Sequence, residues 1–406
     1  MVTTFYPPYN FGGDGIFVQR LSNELARQGH SVDVIHCIDA YRLLARRAPE
    51  RSYQDHPNIT VHGLKSAFGV LSPLATQQTG FPLFKSAAID RILKQNFDVI
   101  HYHNISLLGP KVLHYGHAVK LYTMHEYWLV CPTHVLFKFN EAACAKPQCL
   151  KCTLLHKRPP QWWRYTGLME SAVNHIDCFI APSRFSAVKH REMGLAANIV
   201  QLPHFVPLAE HDTSSRQQEG VKAPPYFVFV GRLEKLKGLQ TIIPIFREYG
   251  KAQLLIAGTG SYEPALRRLA GDNDDIRFLG HLSEQALRQV YRNAVAVIAP
   301  SLCYETFGQV VVEAFSQHTP ALVRNLGAMP ELIKESGGGV IYNSDAQLVS
   351  AMDSLVTSIA LRKELGERGY QAYLRKWTPK VHLESYLALI RELRAAKQVP
   401  TPQSAG

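Results

Sequence analysis

Two glutamates eight residues apart, Glu305 and Glu313, sit in the stretch SLCYETFGQVVVEAFSQHTP, residues 301–320. Glu313 lies among Val310, Val311, Val312, Ala314 and Phe315, a run apolar on nearly every side, so it reads as a carboxylate on a buried helix. An unsatisfied buried polar group costs ~2–7 kcal/mol, and a charge more, so Glu313 needs a partner. A Lys or Arg in a core ion pair would serve, and so would the hydroxyls of a ligand. Glu305 falls in the loop before that helix, beside the free amides of Thr306, Phe307 and Gly308, which form an anion site at a helix start. Upstream, Arg232 and Lys237 stand between Gly231 and Gly238, just before a helix expected near Leu239. Two fixed cations and a helix amino end, the latter worth ~0.3–1 kcal/mol per interaction, are suited to a diphosphate. Acids for hydroxyls and cations for phosphates together describe a polyhydroxylated, phosphate-bearing ligand.

These side chains need a scaffold of strands ending at loops. Residues 226–230 (YFVFV) form a strand feeding the cationic loop, and residues 295–300, closed by Pro300, form one feeding Glu305. Residues 252–257, 276–279 and 321–324 are further strands, and a helix begins at Pro330. The earlier part of the chain has the same alternation. Residues 2–6 end a strand that runs into Gly12, Gly13 and Gly15, then a helix with Ile16, Phe17, Leu21 and Leu25 on one face and Gly29 as its stop. Strands at residues 31–35, 59–62, 97–101, 120–124 and 199–202 follow, with Ser183 as the cap of a helix over residues 184–193. The glycine loop is open to two readings, a phosphate-binding βαβ turn or a tight turn that needs glycine for steric reasons. His125 stands at the carboxyl end of the 120–124 strand, where ligands of open α/β sheets bind; a hydrogen bond within its own loop is the alternative. Residues 210–225 turn polar and form the clearest linker. Residues 345–373 read as helical, and a last helix covers residues 381–393.

The pair Glu305 and Glu313 resembles the E-x7-E motif of retaining GT4 glycosyltransferases, and Gly231-Arg232 with Lys237-Gly238 matches that family's G-R-x-x-x-x-K-G pattern residue for residue. With Gly12 and Gly13, the resemblance spans nearly the whole chain. It implies a GT-B fold: α/β, two Rossmann-like α/β/α domains facing an interdomain cleft. Residues 1–208 would form the acceptor-side domain and residues 209–379 the donor domain, with residues 380–406 crossing back as a helix onto the first. It further implies that Arg232 and Lys237 stabilise the leaving diphosphate and Glu313 holds the ribose. Glu305 with the amides of Thr306, Phe307 and Gly308 would hold the sugar, His125 would contact it, Gly13 would close over the phosphate, and His281 and Leu282 would lie along the base. The chain departs from the family in two places. Ala328 follows Gly327 where two glycines are usual, and only Met1 and Val2 precede the segment that normally follows a longer apolar run, so the first strand is expected to be short or the start internal.

At 406 residues, 46% hydrophobic and 19% charged, the chain is long enough for two cores. No run approaches a membrane span, and no secretory leader stands at the start, so the expected location is the cytoplasm. The net charge of +11 is uneven: residues 1–208 hold 21 Lys and Arg against 13 Asp and Glu. Scattered rather than blocked, these charges favour an anionic membrane surface at the inner face or a phosphorylated acceptor over nucleic acid. Adjacent Trp162 and Trp163 beside Lys157, Arg158 and Arg164 suit a membrane interface or a sugar platform, with domain packing as the plainer reading. Seven cysteines, an odd number, argue against a disulfide framework. Cys131, Cys144, Cys149 and Cys152 cluster within 22 residues, in reach of His156, and are either a structural zinc site or free thiols. No D-x-D motif stands at a suitable strand end, so no catalytic cofactor is expected.

The expected activity is transfer of a hexose from a nucleoside-diphosphate sugar to a lipid-linked or polysaccharide acceptor, with retention. A non-hydrolysing sugar-nucleotide epimerase and a non-catalytic sugar-nucleotide scaffold are the rival readings. The epimerase offers no reason for the Arg232 and Lys237 signature, and the scaffold would tolerate losing Glu305 or Lys237.

Overall fold

The computed structural model describes residues 1–45, 49, 53–208 and 224–398. The linker stretch lies outside the described residues except for Pro224 and Pro225, as does the tail after Gln398.

Apolar five-residue strands separated by amphipathic helices can bury both faces only in parallel sheets flanked by helices, and two such sheets form. In the second half the order is Ile276–Gly280, Gln253–Ala257, Tyr226–Val230, Ala296–Ala299, Ala321–Arg324, Gly339–Tyr342, all parallel. Strand order therefore reverses between Tyr226–Val230 and Ala296–Ala299, and the crevice beyond their carboxyl ends is the topological switch point. The two loops that leave these strands carry Arg232 and Lys237 on one side and Glu305 on the other. The Gly339–Tyr342 strand was not anticipated, because Gly338 and Gly339 dilute a short apolar run.

In the first half, Val32–Cys37 pairs with Ile59–Leu64, and Val99–Tyr102, Val119–Thr123, Cys178–Ala181 and Ile199–Gln201 pair in that order, again in parallel. The first residues are the seam between these two sets. Val2 bridges Ile35 and Tyr102, its amide donates to the His101 carbonyl at 2.8 Å, and the Thr3 amide donates to the Ile35 carbonyl at 3.0 Å. Where the sequence reads the end of a strand over residues 2–6, the structure has only single-residue bridges at Val2, which join the two sets of strands.

The helix Gly13–Arg27 starts at the glycine loop and buries Phe17, Leu21 and Leu25 as its spacing requires. The helical stretch expected over residues 345–373 consists of two helices, Asp345–Thr357 and Ile359–Lys376; the Ser358 hydroxyl accepts from the Leu361 amide at 3.1 Å and caps the second. The last helix runs longer than its apolar face, from Pro379 to Gln398. Leu383 and Tyr386 on that helix pack with Phe17, Leu21, Val119 and Phe205 of the first half. The Tyr386 hydroxyl meets His101 Nδ1 at 2.9 Å, and His382 Nδ1 donates to the Pro203 carbonyl at 2.7 Å. Replacing the buried Leu383 by Ala is expected to cost ~2–5 kcal/mol through lost transfer energy and a cavity. A chemical-denaturation midpoint unchanged from wild type would show that the helix does not help hold the first half together.

Candidate functional site

The cationic loop ends in a tight turn, Lys235–Lys237, followed by Gly238 at φ 81°. A Cβ at Gly238 would stand 2.0 Å from the Pro300 carbonyl oxygen, so only glycine lets the two switch-point loops touch. That contact sets the central pair: Lys237 Nζ donates to Glu305 Oε1 at 2.7 Å, and the Ser301 hydroxyl donates to the same oxygen at 2.7 Å. Burial works to raise the Glu305 carboxyl, but the Lys237 charge and hydrogen bond, Ser301 and Arg232 outweigh it and hold the group below the usual range. Burial likewise lowers Lys237, and Glu305 with Cys303 reverses that, leaving the ammonium held above its ordinary value. Arg232 is 54% exposed and pairs with Glu234 at 3.1 Å. Behind Glu305, Gly327 adopts φ 72°, where a Cβ would lie 2.8 Å from the Glu305 amide nitrogen. Ala328 is fully buried, and its amide donates to the Glu305 carbonyl at 3.1 Å, so the position departing from the family pattern supports the loop's backbone.

Glu313 projects from the helix Gln309–Phe315, whose Val311, Val312, Ala314 and Phe315 are buried. Its Oε2 accepts from the Tyr291 hydroxyl at 3.1 Å, and its Oε1 lies 4.0 Å from Arg20. Arg20 belongs to the helix Gly13–Arg27 of the other half and also reaches Glu284 at 3.4 Å. The ion-pair alternative holds only in part: the partner is a phenol, with a guanidinium at the outer limit of an ion pair. Burial pushes the Glu313 carboxyl up, against the pull of Arg20 and Tyr291.

The loop carrying Glu305 is fastened across the cleft. Thr306 Oγ1 donates to the His125 carbonyl at 2.9 Å, Ser183 Oγ donates to the Thr306 carbonyl at 2.7 Å, and Gln309 donates to the Phe205 carbonyl at 3.2 Å. Glu331 accepts from the amides of Arg184 and Phe185 at 3.0 and 2.6 Å, so an acid of the second half caps a helix of the first. His125 is thereby beside the Glu305 loop through its backbone, while its ring is held elsewhere. Its Nε2 meets His103 Nδ1 at 2.9 Å and its Nδ1 meets His204 Nε2 at 3.1 Å. Burial pushes His125 down to about 3 and His103 and His204 well below the normal range, which favours the neutral form of all three rings. Phe307 is buried with its ring edge toward His204 at 5.4 Å, and Gly308 precedes the helix at φ 121°. Gly12 caps the first helix in an extended conformation, and Gly13 is its exposed first residue. Next to them, burial raises the Asp14 carboxyl, which accepts from Asn104 at 3.0 Å and feels the Arg232 charge. Gly231 donates its amide to the Ala257 carbonyl at 3.0 Å, and His281 and Leu282 follow the carboxyl end of the Ile276–Gly280 strand.

The cysteine cluster lies apart from this site. Cys131, Cys144, Cys149 and Cys152 line one cavity of about 20 Å³ with Leu136, Phe137 and Met193. All seven cysteines are free thiols. Among the described residues no three Cys, His, Asp or Glu side chains are placed to hold a metal ion, so the arrangement does not support the zinc reading. Three of the sulfurs have partners of their own: Cys131 with Thr133 Oγ1 at 3.3 Å, Cys144 with the Lys146 carbonyl at 3.7 Å, Cys152 with the Phe139 amide at 3.5 Å. Burial and the neighbouring cysteines raise the Cys144 and Cys149 thiols. His156 Nε2 is spent on the Phe137 carbonyl at 3.2 Å.

With this geometry in view, the comparisons with known proteins are decisive for the family. Residues 11–210 match the model of Glycosyltransferase Family 4, and residues 211–372 match Glycosyl transferases group 1. The chain belongs to the GT4-type glycosyltransferases. An uncharacterized glycosyltransferase of Methanocaldococcus jannaschii is 26% identical over 360 residues, 84% of this chain and 83% of that one. A phosphatidyl-myo-inositol mannosyltransferase of Mycobacterium leprae is 26% identical over 188 residues, 45% of this chain and 50% of its own. The fold matches the sucrose-phosphate synthase of Thermosynechococcus elongatus at a TM-score of 0.74 and 18% identity, covering 97% of this chain and 98% of that structure. An Anabaena protein crystallised with UDP matches at 0.65 and 15% identity, covering 96% and 98%. The GT-B architecture of this glycosyltransferase is thus established independently of its site residues.

The raised Glu313 carboxyl has a consequence for stability. The native state binds this proton more tightly than the unfolded chain, so ionising Glu313 opposes folding. That penalty is absent below the ordinary carboxyl pKa and fully present above the raised one. Glu313→Gln is therefore expected to melt at or above the wild-type temperature at neutral pH, with the advantage vanishing as the pH falls toward ~4. Thermal melts across this range check it; a variant that loses stability specifically at neutral pH would contradict it.

Proposed function

We propose that this glycosyltransferase moves a hexose from a nucleoside-diphosphate sugar to a lipid-linked or polysaccharide acceptor in cell-surface glycan synthesis, with retention of anomeric configuration. The observation that carries the reading is the Lys237 and Glu305 pair at the switch point, with Arg232 exposed beside it. In the reaction the bond from the anomeric carbon to the diphosphate oxygen breaks, and a bond from the same carbon to the acceptor oxygen forms on the same face. The leaving phosphate oxygen takes the acceptor's proton. Negative charge develops on the diphosphate as it leaves, and two fixed cations with loop amides stabilise it more than they stabilise the bound donor. The same two cations supply the charge a divalent metal would otherwise bring, so transfer is expected to persist in EDTA.

Glu305, held ionised, takes the sugar hydroxyls together with the amides of Thr306, Phe307 and Gly308. Glu313, once freed from Arg20, takes the ribose. The amide of Gly13 closes over the phosphate, and the backbone of His281 and Leu282 lines the base. His125 presents its loop to the sugar, while its neutral ring is oriented by His103 and His204. The lipid-linked acceptor is favoured by the excess of basic residues in the first half and by the mannosyltransferases of phosphatidylinositol among the relatives.

A thermal-shift screen of UDP, GDP, ADP and TDP sugars tests the donor site. Ligand at one hundred times its dissociation constant stabilises the native state by ~2.7 kcal/mol. One nucleotide family is expected to raise the melting temperature of the wild type and not of Lys237→Ala. No shift with any donor would refute the reading, and a product of inverted anomeric configuration by proton NMR would refute retention.

A further inference from the structure

Exposed apolar side chains are not spread evenly over the described residues. Of nineteen large ones, seven fall in residues 68–84 and five in residues 150–165. Within the fold these two stretches meet. The helix Leu71–Thr79 and the turn Leu83–Lys85 pack together, and the helix packs on the turn Trp162–Tyr165, where Trp163 Nε1 donates to the Gln77 carbonyl at 2.9 Å. Trp163 is thereby turned inward and buried, while its neighbour Trp162 is left 60% exposed. An open groove of about 480 Å³ runs between Phe81 and Trp162, and beyond it Phe68 and Phe84 lie ring to ring at 4.2 Å. An apolar face of this kind on a protein surface needs an occupant.

The charge around it selects the occupant. Residues 66–89 contain no Asp or Glu, and residues 141–170 contain five cations, Lys146, Lys151, Lys157, Arg158 and Arg164, against two acids, Glu141 and Glu170, one at each end. Apolar side chains bordered by Lys and Arg, with an exposed Trp, are the composition that enters the headgroup region of a bilayer. Arg164 also connects this face to the functional site. Its guanidinium stacks over Trp128 and Trp163 and donates to the Trp128 and Leu129 carbonyls at 2.7 and 3.3 Å, in the loop that follows His125.

We propose that this face seats the protein on an anionic lipid bilayer, with Leu71, Phe84 and Trp162 in the interfacial layer and Lys157 and Arg158 against lipid phosphates. The inference deepens the lipid-linked acceptor reading, yet it is measured without donor or acceptor, so the two can fail separately. No helix among the described residues is long and apolar enough to cross a membrane.

Flotation with vesicles of phosphatidylcholine, alone or mixed with phosphatidylglycerol, tests it on the full chain. Binding is expected to the anionic vesicles only, weakening as salt screens the phosphates. Trp162 is the exposed one of the four tryptophans, so brominated lipid is expected to quench wild-type fluorescence and not that of Trp162→Phe. Leu71→Glu with Phe84→Glu is expected to weaken binding by about tenfold or more. Because both side chains are exposed, the melting temperature and the donor-induced shift should be unchanged. Absence of vesicle binding, binding without quenching, or a charged variant that floats like wild type would each overturn the proposal. So would a dimer broken by the same substitutions, which would assign the face to a second copy of the chain.

Discussion

An ammonium and a carboxylate at 2.7 Å, both with less than a quarter of their side-chain surface open to water, are the interaction on which the site depends. A pair this enclosed gains Coulomb energy only because its desolvation is offset by further hydrogen bonds, here from Ser301 to the same carboxylate oxygen. Its geometry is set by the sheet, since Lys237 and Glu305 leave neighbouring strands at the point where strand order reverses. Gly238 against Pro300 and Gly327 against the Glu305 amide are the close backbone approaches that let those two loops converge. The pair holds each member in its charged form, which is what phosphate and hydroxyl recognition require.

A second constraint comes from the other half of the molecule. Thr306, Gln309 and Glu331 bond to the backbone at His125, Phe205 and the helix after Ser183, while Arg20 reaches Glu313 and Glu284. The loop carrying Glu305 is therefore shaped by contacts on both sides of the cleft. The crossing helix carries Leu383 and Tyr386 into the first core and His382 to the Pro203 carbonyl, so the chain's end helps fix the relation between the halves. Opening the cleft would release Arg20 from Glu313 and leave that carboxylate with the Tyr291 hydroxyl, available to a ligand's hydroxyls.

Much of this was legible in the sequence, because the strands after residue 225 are short apolar runs ending at glycine, proline or asparagine. Tyr226–Val230 and Ala321–Arg324 fall on the expected residues, and the E-x7-E and G-R-x-x-x-x-K-G spacings mark the loops at the switch point. Other features depend on contacts distant in the chain. Arg20 on an amphipathic helix looks like any surface cation until the second half packs over it. The junction of His103 with His125 and His204 was not visible, since three strand or loop ends must first be brought side by side. Gly339–Tyr342 was hidden by its glycines, and the split at Ser358 by a helical pattern on both sides. The cysteine spacing left a zinc site and free thiols open, and the fold gives three of the four sulfurs a separate local partner.

The central claim is that Lys237 and Glu305 act as one unit in donor recognition. The direct measurement is a double-mutant cycle on donor affinity by calorimetry, using Lys237→Ala, Glu305→Gln and the double variant. Coupled, contacting residues give interaction energies of ~0.5–3 kcal/mol, whereas independent ones add within ~0.5 kcal/mol. The account expects strong coupling, with the double variant little weaker than Lys237→Ala alone. Simple additivity, or a donor affinity indifferent to both substitutions, would contradict it.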